Sequence, residues 1–259
     1  GLPPLLRFVV QLGITAWIAV SLPACRLPLA ASSLPVQVAA TALFITAVTN
    51  AFNFLDNMDG LAAGLGMIVL SFLGMYALEI GLLPVAHLGL GLAAALGGFL
   101  VYNFPPAKIF MGDAGGLFIG FIVGAISVAL IQQVHADQAI GFAPHYLAPL
   151  IPLTVPLYDF VSVIIIRLRN HTLPWTGDHN HISHRLARSG FSRRGAVLAI
   201  YGAALLTSLP TLFMDSDRTS DWVLLLLAPG CAAAIAVFEI SCARKCGGAL
   251  AEGEVQTHD

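Results

Sequence analysis

The chain has 259 residues, of which 58% are hydrophobic and only 10% are charged. A soluble domain carries about 25% charged residues, so this composition excludes an ordinary soluble protein and predicts a polytopic membrane protein. The net charge of −2 carries little information, because in membrane proteins the distribution of Lys and Arg over the two sides matters more than their sum.

Eight segments are long and apolar enough to cross a bilayer, which takes about 20 residues of helix. They are Leu5–Leu22, Val36–Phe54, Leu61–Ile80, Val85–Phe104, Ala114–Val134, Leu147–Ile166, Ala196–Leu212 and Trp222–Ile240. Pro149, Pro152 and Pro156 are expected to break or kink the sixth segment. We therefore predict an all-α membrane protein with about eight transmembrane helices, in a single domain over residues 1–259.

The basic residues are distributed unequally over the two sides that these eight segments define. Only Arg26 and Arg218 fall on the side away from the N-terminus. The N-terminal side carries Arg7, Lys108, Arg167, Arg169, Arg185, Arg188, Arg193, Arg194, Arg244 and Lys245. Because Lys and Arg accumulate in cytoplasmic loops, we expect both termini in the cytoplasm.

The same rule places three polar clusters on the cytoplasmic side, in residues 50–60, 102–116 and 167–195. A transport pathway more often leaves polar residues near the middle of the membrane. The segments between these clusters are almost free of charge, which favours chemistry at the cytoplasmic surface of the membrane.

The first cluster, residues 50–60, reads Asn-Ala-Phe-Asn-Phe-Leu-Asp-Asn-Met-Asp-Gly. If the incoming helix continues through it, Asn50, Asn53 and Asp56 lie on one face. Helix caps, or a turn at Asp59, would explain one or two such residues, but the segment contains five Asn and Asp side chains. We interpret it as a site that binds a cation or a polar substrate.

In the second cluster Asp113 lies between glycines at the start of the fifth segment. A carboxylate there would be favoured by the helix dipole alone. Glycines also allow a phosphate to approach, and Mg²⁺ takes one or two carboxylates with water and phosphate oxygens. We predict that Asp113 binds Mg²⁺, with Mn²⁺ as the alternative ion, and that Asn103 and Lys108 supply an amide and a cation nearby.

The third cluster, residues 178–185, reads Asp-His-Asn-His-Ile-Ser-His-Arg. A zinc protease would need two His four residues apart with a Glu between them, and that pattern is missing here. A solvated basic loop explains His179. For His181 and His184, three residues apart on one predicted helical face, we favour phosphate binding or proton transfer. Arg185 and the following arginines either bind a diphosphate or set the membrane topology.

One carboxylate lies within a predicted span. Asp159 precedes Arg167 by eight residues, which corresponds to about 12 Å along a helix. An intramembrane carboxylate points to function, while a buried ion pair with Arg167 is the competing interpretation.

Carboxylates, amides, basic groups and paired histidines on one membrane face suit phosphoryl transfer between a soluble donor and a lipid-borne acceptor. Catalysis of this kind depends mainly on positioning and on the neutralisation of charge. A transporter of a lipid-linked product is the alternative from a different class.

Three segments resemble motifs of the polyprenyl-phosphate N-acetylhexosamine-1-phosphate transferases, glycosyltransferase family 4. NAFNFLDNMDGLAA, residues 50–63, resembles Asn-x-x-Asn-x-x-Asp-Gly-x-Asp-Gly-Leu. NFPPAKIFMGDAGG, residues 103–116, resembles Asn-x-x-Pro-Ala-x-x-Phe-Met-Gly-Asp-x-Gly-Ser. GDHNHISHRLARSGFSRRGAV, residues 177–197, is similar to the family's cytoplasmic His-rich loop.

The resemblance implies that undecaprenyl phosphate attacks the β-phosphate of a UDP-activated amino sugar, with UDP-GlcNAc favoured. The product would be undecaprenyl-diphospho-sugar, with release of UMP, at the bacterial inner membrane. The expected site residues are, for catalysis, Asp56, Asp59, His181 and His184; for substrate binding, Asn50, Asn53, Asn103, Lys108 and Arg185; and for the metal, Asp113. The lipid bilayer is an expected partner and nucleic acid is not; the resemblance alone suggests a homodimer.

The chain also departs from the family pattern. Asn57, Gly116 and Ser183 stand where the family has Gly, Ser and His, and His179 stands where the sugar-specific branch usually has Arg. These departures bear on the identity of the donor. Family members carry an Asp-Asp pair and about three spans before a segment resembling residues 1–11. We therefore expect an N-terminally incomplete domain, and a truncated, inactive homologue is a further alternative.

Overall fold

The computed structural model describes residues 3–29, 32–137, 144–173 and 180–213, together with residues 226, 230, 233–235 and 237. The regular secondary structure of these residues is helical throughout. Within them, seven helices are long and apolar enough to cross a membrane. The predicted all-α, polytopic fold is confirmed, while most of the eighth predicted segment, Trp222–Ile240, lies outside the described residues.

We number the α-helices in chain order. They are α1 (Pro4–Ser21), α2 (Leu34–Leu55), α3 (Leu61–Glu79), α4 (Leu83–Asn103), α5 (Gly112–Ala136), α6 (Pro144–Leu147), α7 (Thr154–Arg169), α8 (Ile182–Arg188) and α9 (Arg193–Ser208). Short 3₁₀ helices follow α1 (Pro23–Cys25), α6 (Ala148–Leu153) and α9 (Leu209–Phe213). Each end of the first five predicted spans lies within about two residues of the observed end, which is the usual accuracy of a boundary.

Prolines mark where several of these helices begin. Pro4, Pro35 and Pro84 lie in the first turns of α1, α2 and α4. A proline is tolerated there because the first backbone N–H groups of a helix have no acceptor within it. The sequence thus signals the start of each of these spans.

The predicted break in the sixth span is confirmed. Pro149 and Pro152 lie in the 3₁₀ helix that separates α6 from α7. Pro156 lies in the first turn of α7, where it interrupts no hydrogen bond. The span His145–Arg169 is therefore built from three consecutive helical pieces.

Helices α2 and α5 pack closely because α5 presents glycines at every fourth position. A Cβ added to Gly120 would lie 2.7 Å from the Cα of Thr49, and one added to Gly116 would lie 3.2 Å from the Cα of Asn53. Gly124 continues the same face one turn further along. Small residues of this kind let two membrane helices approach backbone to backbone, and here they bring Asn53 to the start of α5.

Helix α3 lies at the centre of the bundle, with Leu61, Leu65 and Tyr76 fully buried. It follows Gly60, whose φ of +78° is readily available only to glycine. The outer helices α1 and α4 expose apolar side chains such as Trp17 and Val101, as expected where a helix faces lipid.

Candidate functional site

The structure brings the three polar clusters together at one end of the bundle. There the ends of α2, α4 and α7 meet the starts of α3, α5, α8 and α9. The side-chain contacts that join the clusters are Asn53 to Asp113, Asp59 to Ala107, Asn103 to Gly60, Ser183 to Asn57 and Arg194 to Pro105. Residues far apart in the sequence therefore form one continuous polar surface.

The end of α2 carries the start of the first cluster. The helix continues to Leu55, and Asp56 caps its C-terminus. Asn50 Nδ2 donates a hydrogen bond of 2.7 Å to Gln11 Oε1 on α1. One turn further on, Asn53 Nδ2 donates to Asp113 Oδ1 at 3.3 Å. The two amides thus connect α2 to helices on either side of it.

Asp113 lies in the first turn of α5, and 76% of its side chain is exposed. One of its oxygens accepts from Asn53, and the other accepts from Arg7 Nη1 at 3.0 Å. The preceding Gly112 has a φ of +67°, and a Cβ added to it would have no heavy atom within 4 Å. The carboxylate of Asp113 is therefore held in place but remains open to a ligand.

Asp56 lies near this carboxylate. Burial raises the pKa of Asp56, the negative charge of Asp113 raises it further, and a hydrogen bond with the Gly112 backbone opposes the rise. The two acidic groups therefore repel one another, and a cation between them would relieve that repulsion. Two carboxylates with open coordination positions are a donor set that suits Mg²⁺, whose remaining ligands are water and phosphate oxygens. In the described part of the chain, three or more His, Cys, Asp or Glu side chains do not come together as a metal cage.

Asp59 and Asn103 hold the α4–α5 loop against the turn that precedes α3. Asp59 Oδ2 accepts from the Ala107 N–H at 3.1 Å. Asn103 Oδ1 accepts from the Gly60 N–H at 3.1 Å, and its Nδ2 donates to the Ile109 carbonyl at 2.8 Å. Asn103 is only 3% exposed, so its contacts are with the backbone behind the polar surface.

Lys108 is exposed on the same loop. On the far side of the loop, Arg194 Nε donates to the carbonyl of Pro105 at 2.8 Å. The Tyr201 hydroxyl donates to the carbonyl of Gly60. Helix α9 therefore fastens both the α4–α5 loop and the turn before α3.

The histidine cluster is attached to α7. His181 occupies the N-cap position of α8 without a capping hydrogen bond from its side chain, so it precedes the helix instead of sharing a helical face with His184 as predicted. His181 Nδ1 lies 2.8 Å from Asp159 Oδ2, and the Ile182 N–H donates to Asp159 Oδ1 at 2.6 Å. Arg185 Nη2 donates to Ser162 Oγ, one turn beyond Asp159, at 2.9 Å.

From the sequence alone, Asp159 was identified only as an intramembrane carboxylate, and Arg167 was its candidate partner. The structure gives it His181 and the Ile182 amide as partners. The Arg167 guanidinium lies 5.0 Å from the centroid of the Phe54 ring. The sequence signal for Asp159 was its position within a span, and the sequence did not reveal its partner 22 residues away.

A cavity of about 620 Å³ opens on the polar surface. Its walls come from all three clusters, and its lining residues are Asn57, Met58, Asp59, Pro105, His184, Ala187, Arg188 and Arg193. Asn57 and Ser183, two of the departures from the family pattern, are hydrogen-bonded to each other at this position. Basic side chains beside a histidine suit the phosphates of a nucleotide.

A second cavity, of about 280 Å³, lies between α1, α2 and α7. Its walls are apolar except at Arg7 and Asn50, and it is lined by Pro4, Leu5, Arg7, Phe8, Asn50, Phe54, Phe160 and Ile164. Such a cavity suits an amphiphile that has an anionic head and an apolar chain.

Comparisons with known proteins identify the family of the chain. Residues 1–131 match the family described as Glycosyl transferase family 4. The chain is 40% identical over 177 residues to a probable undecaprenyl-phosphate N-acetylglucosaminyl 1-phosphate transferase of Bacillus subtilis, an alignment that covers 68% of this chain and 48% of that protein.

Two further relatives carry related names. A decaprenyl-phosphate N-acetylglucosaminephosphotransferase of Mycolicibacterium smegmatis is 35% identical over 70% of this chain and 48% of its own length. An undecaprenyl-phosphate alpha-N-acetylglucosaminyl 1-phosphate transferase of Escherichia coli is 33% identical over 72% of this chain and 51% of its own length. The chain thus spans about half the length of the curated relatives it matches.

Proposed function

Because the chain belongs to glycosyl transferase family 4, we propose that the protein transfers N-acetylglucosamine 1-phosphate from UDP-GlcNAc to undecaprenyl phosphate. An oxygen of the lipid phosphate attacks the β-phosphorus of the donor. The bond from this phosphorus to the bridging oxygen breaks, and UMP leaves with that oxygen. The product is undecaprenyl-diphospho-N-acetylglucosamine. The names of all three relatives support a polyprenyl-phosphate acceptor and the sugar phosphate, and two of the names specify undecaprenyl phosphate.

One observation carries this proposal: the two carboxylates of Asp56 and Asp113, the acidic centre of the site, lie beside two cavities, of which one is polar and the other apolar. Arg7 both lines the apolar cavity and contacts Asp113. Asp56, which faces Asp113, is followed directly by Asn57 in the wall of the polar cavity. A reaction that joins a lipid phosphate to a water-soluble diphosphate needs this arrangement, because its two substrates reach the reacting phosphorus from different environments.

We assign each group of residues in the site one role in binding or positioning. Arg7, at the polar end of the apolar cavity, holds the acceptor phosphate. Arg188, Arg193 and His184 hold the diphosphate of the donor in the polar cavity. Asp59 and Asn103 keep the loop that carries Asp113 in place.

Asp113 and Asp56 would hold the Mg²⁺ ion, for which Mn²⁺ is the alternative. When bound, the ion supplies positive charge that neutralises the diphosphate. We place this chemistry at the cytoplasmic face of the bacterial inner membrane, since ten of the 12 Lys and Arg residues are expected on that side.

The test uses the complete protein, purified in detergent, with undecaprenyl phosphate, Mg²⁺ and UDP-GlcNAc labelled in its sugar. We expect labelled lipid and an equal amount of UMP, and neither when EDTA is present. Asp113→Asn should abolish turnover, while Asp137→Asn, the same change at the other end of α5, should leave it intact. Failure to form labelled lipid from UDP-GlcNAc or any other UDP-amino sugar would overturn the proposal.

A further inference from the structure

We infer that Asp159 is a positioning residue, which fixes His181 in the tautomer with its proton on Nδ1 and leaves Nε2 as a proton acceptor for the site. The inference deepens the proposed function and rests on it for its kinetic test. It assigns a role in the reaction to a carboxylate that lies within a membrane span.

The geometry around Asp159 is closed and specific. Asp159 is 0% exposed and His181 is 5% exposed. Asp159 Oδ2 lies 2.8 Å from His181 Nδ1, and its other oxygen accepts from the Ile182 N–H at 2.6 Å. One carboxylate therefore holds both the imidazole of His181 and the first backbone donor of α8.

The chemistry of these groups determines where the imidazole proton lies. An ionised carboxylate only accepts hydrogen bonds, so the ring nitrogen facing it must be the donor. A neutral imidazole carries one proton, and that proton must therefore be on Nδ1. Nε2 then has a lone pair, which can accept the proton of a P–OH group of the lipid phosphate and so leave that oxygen as the nucleophile.

If Asp159 only stabilised the fold, one of its two hydrogen bonds would be enough. A side chain that only capped α8 would need a single acceptor for the Ile182 N–H. Asp159→Asn keeps that acceptor in its carbonyl oxygen, but it turns an NH₂ group towards His181. That donor would bond to the lone pair of Nδ1 and so favour the tautomer with its proton on Nε2. The substitution thus reverses the tautomer and retains the cap.

The kinetic test measures the proposed transferase reaction in the complete protein. Asp159→Asn should lower kcat by about 10²-fold or more, the usual contribution of a positioned acid or base, with the KM for UDP-GlcNAc nearly unchanged. In a His181→Gln background the same substitution should cost nothing further. Equal losses in both backgrounds would show that Asp159 acts independently of His181 and would overturn the inference.

A second test needs no turnover. Nitrogen-15 NMR of the histidine rings, with the His181 signal assigned by its loss in His181→Gln, reports the tautomer directly. We expect the Nδ1–H form in the wild-type protein and in Ser162→Ala, which removes the neighbouring contact between α7 and α8. The Nε2–H form in the wild-type protein would overturn the inference. If no UDP-sugar is a substrate, the proposed function fails, but the NMR result still decides the tautomer.

Discussion

Arg7 Nη1 donates a hydrogen bond of 3.0 Å to Asp113 Oδ2, although 106 residues separate the two in the sequence. Both side chains are partly exposed, and an ion pair of this kind contributes about 0–1 kcal/mol. Arg7 can therefore leave Asp113 at little cost when a lipid phosphate arrives. In the proposed reaction this ion pair connects Arg7, which binds the acceptor phosphate, to Asp113, which would bind the metal ion.

Replacing Arg7 should strengthen the binding of Mg²⁺ and weaken the binding of the lipid phosphate. Arg7→Gln removes a positive charge beside Asp113, so we expect tighter Mg²⁺ binding, together with a KM for undecaprenyl phosphate raised by roughly tenfold. Titrations of initial rate against each ligand measure both constants. Arg26→Gln, beyond the other end of α1, is the matched control and should change neither. Unchanged lipid affinity in Arg7→Gln would contradict the role given to Arg7.

The ionised carboxylate of Asp56 should lower the free energy of unfolding when no metal is bound. Its pKa is raised by burial and by Asp113, so as pH rises the unfolded chain loses this proton before the folded protein does. The free energy of unfolding therefore falls as pH rises through the interval between the two pKa values. Asp56→Asn should raise the Tm in EDTA at pH 7, and the gain should shrink as the pH approaches 4.

Addition of Mg²⁺ is the control for this experiment. Saturating Mg²⁺ should reduce or reverse the difference between wild type and Asp56→Asn, because the ion neutralises the charge that makes the wild type less stable. A lower Tm for Asp56→Asn in EDTA at pH 7 would mean that the carboxylate stabilises the fold, contrary to this account.

The glycine face of α5 should tolerate no added methyl group at its closest point. Gly120→Ala places a Cβ 2.7 Å from the Cα of Thr49 and 2.8 Å from the carbonyl of Val48, so the two helices must separate. We expect a loss of about 1–3 kcal/mol and a lower Tm. Gly91→Ala on α4 meets nothing within 4 Å and should be neutral or slightly stabilising. Equal Tm values for the two variants would contradict the packing described.

The neighbouring residues Arg193 and Arg194 should behave differently. Arg193 lines the polar cavity, whereas Arg194 donates to the Pro105 carbonyl. Arg193→Gln should raise the KM for UDP-GlcNAc about tenfold without a change in Tm, as expected when one charged contact to a phosphate is lost. Arg194→Gln should chiefly lower the Tm. If both variants affect only stability, the polar cavity does not bind the diphosphate.

Much of the fold could be predicted from the sequence, because bilayer thickness fixes the length of an apolar span. The second predicted span ended at Phe54, so it already placed Asn50 and Asn53 in the helix, which the structure ends at Leu55. The positions of Pro149 and Pro152 correctly predicted the break before α7. Each of these features depends on residues close together in the chain.

The contacts that assemble the site could not be predicted in this way. Asp159 contacts His181 because the start of α8 lies against α7, and no local pattern encodes that contact. Asn103 was expected at a substrate, but the helices around it turn its amide towards Gly60 and Ile109. Such pairings depend on tertiary packing, here on the close approach of α2 and α5 and on the attachment of α9.

In the proposed reaction a sugar phosphate, and not the sugar alone, moves to the lipid. UDP-GlcNAc that carries ³²P in its β-phosphate, incubated with the complete protein, undecaprenyl phosphate and Mg²⁺, distinguishes the two transfers. We expect the label to enter the lipid fraction and the released nucleotide to be unlabelled UMP. Label released as UDP, with unlabelled phosphate in the lipid product, would show transfer of the sugar alone and would overturn the proposed function.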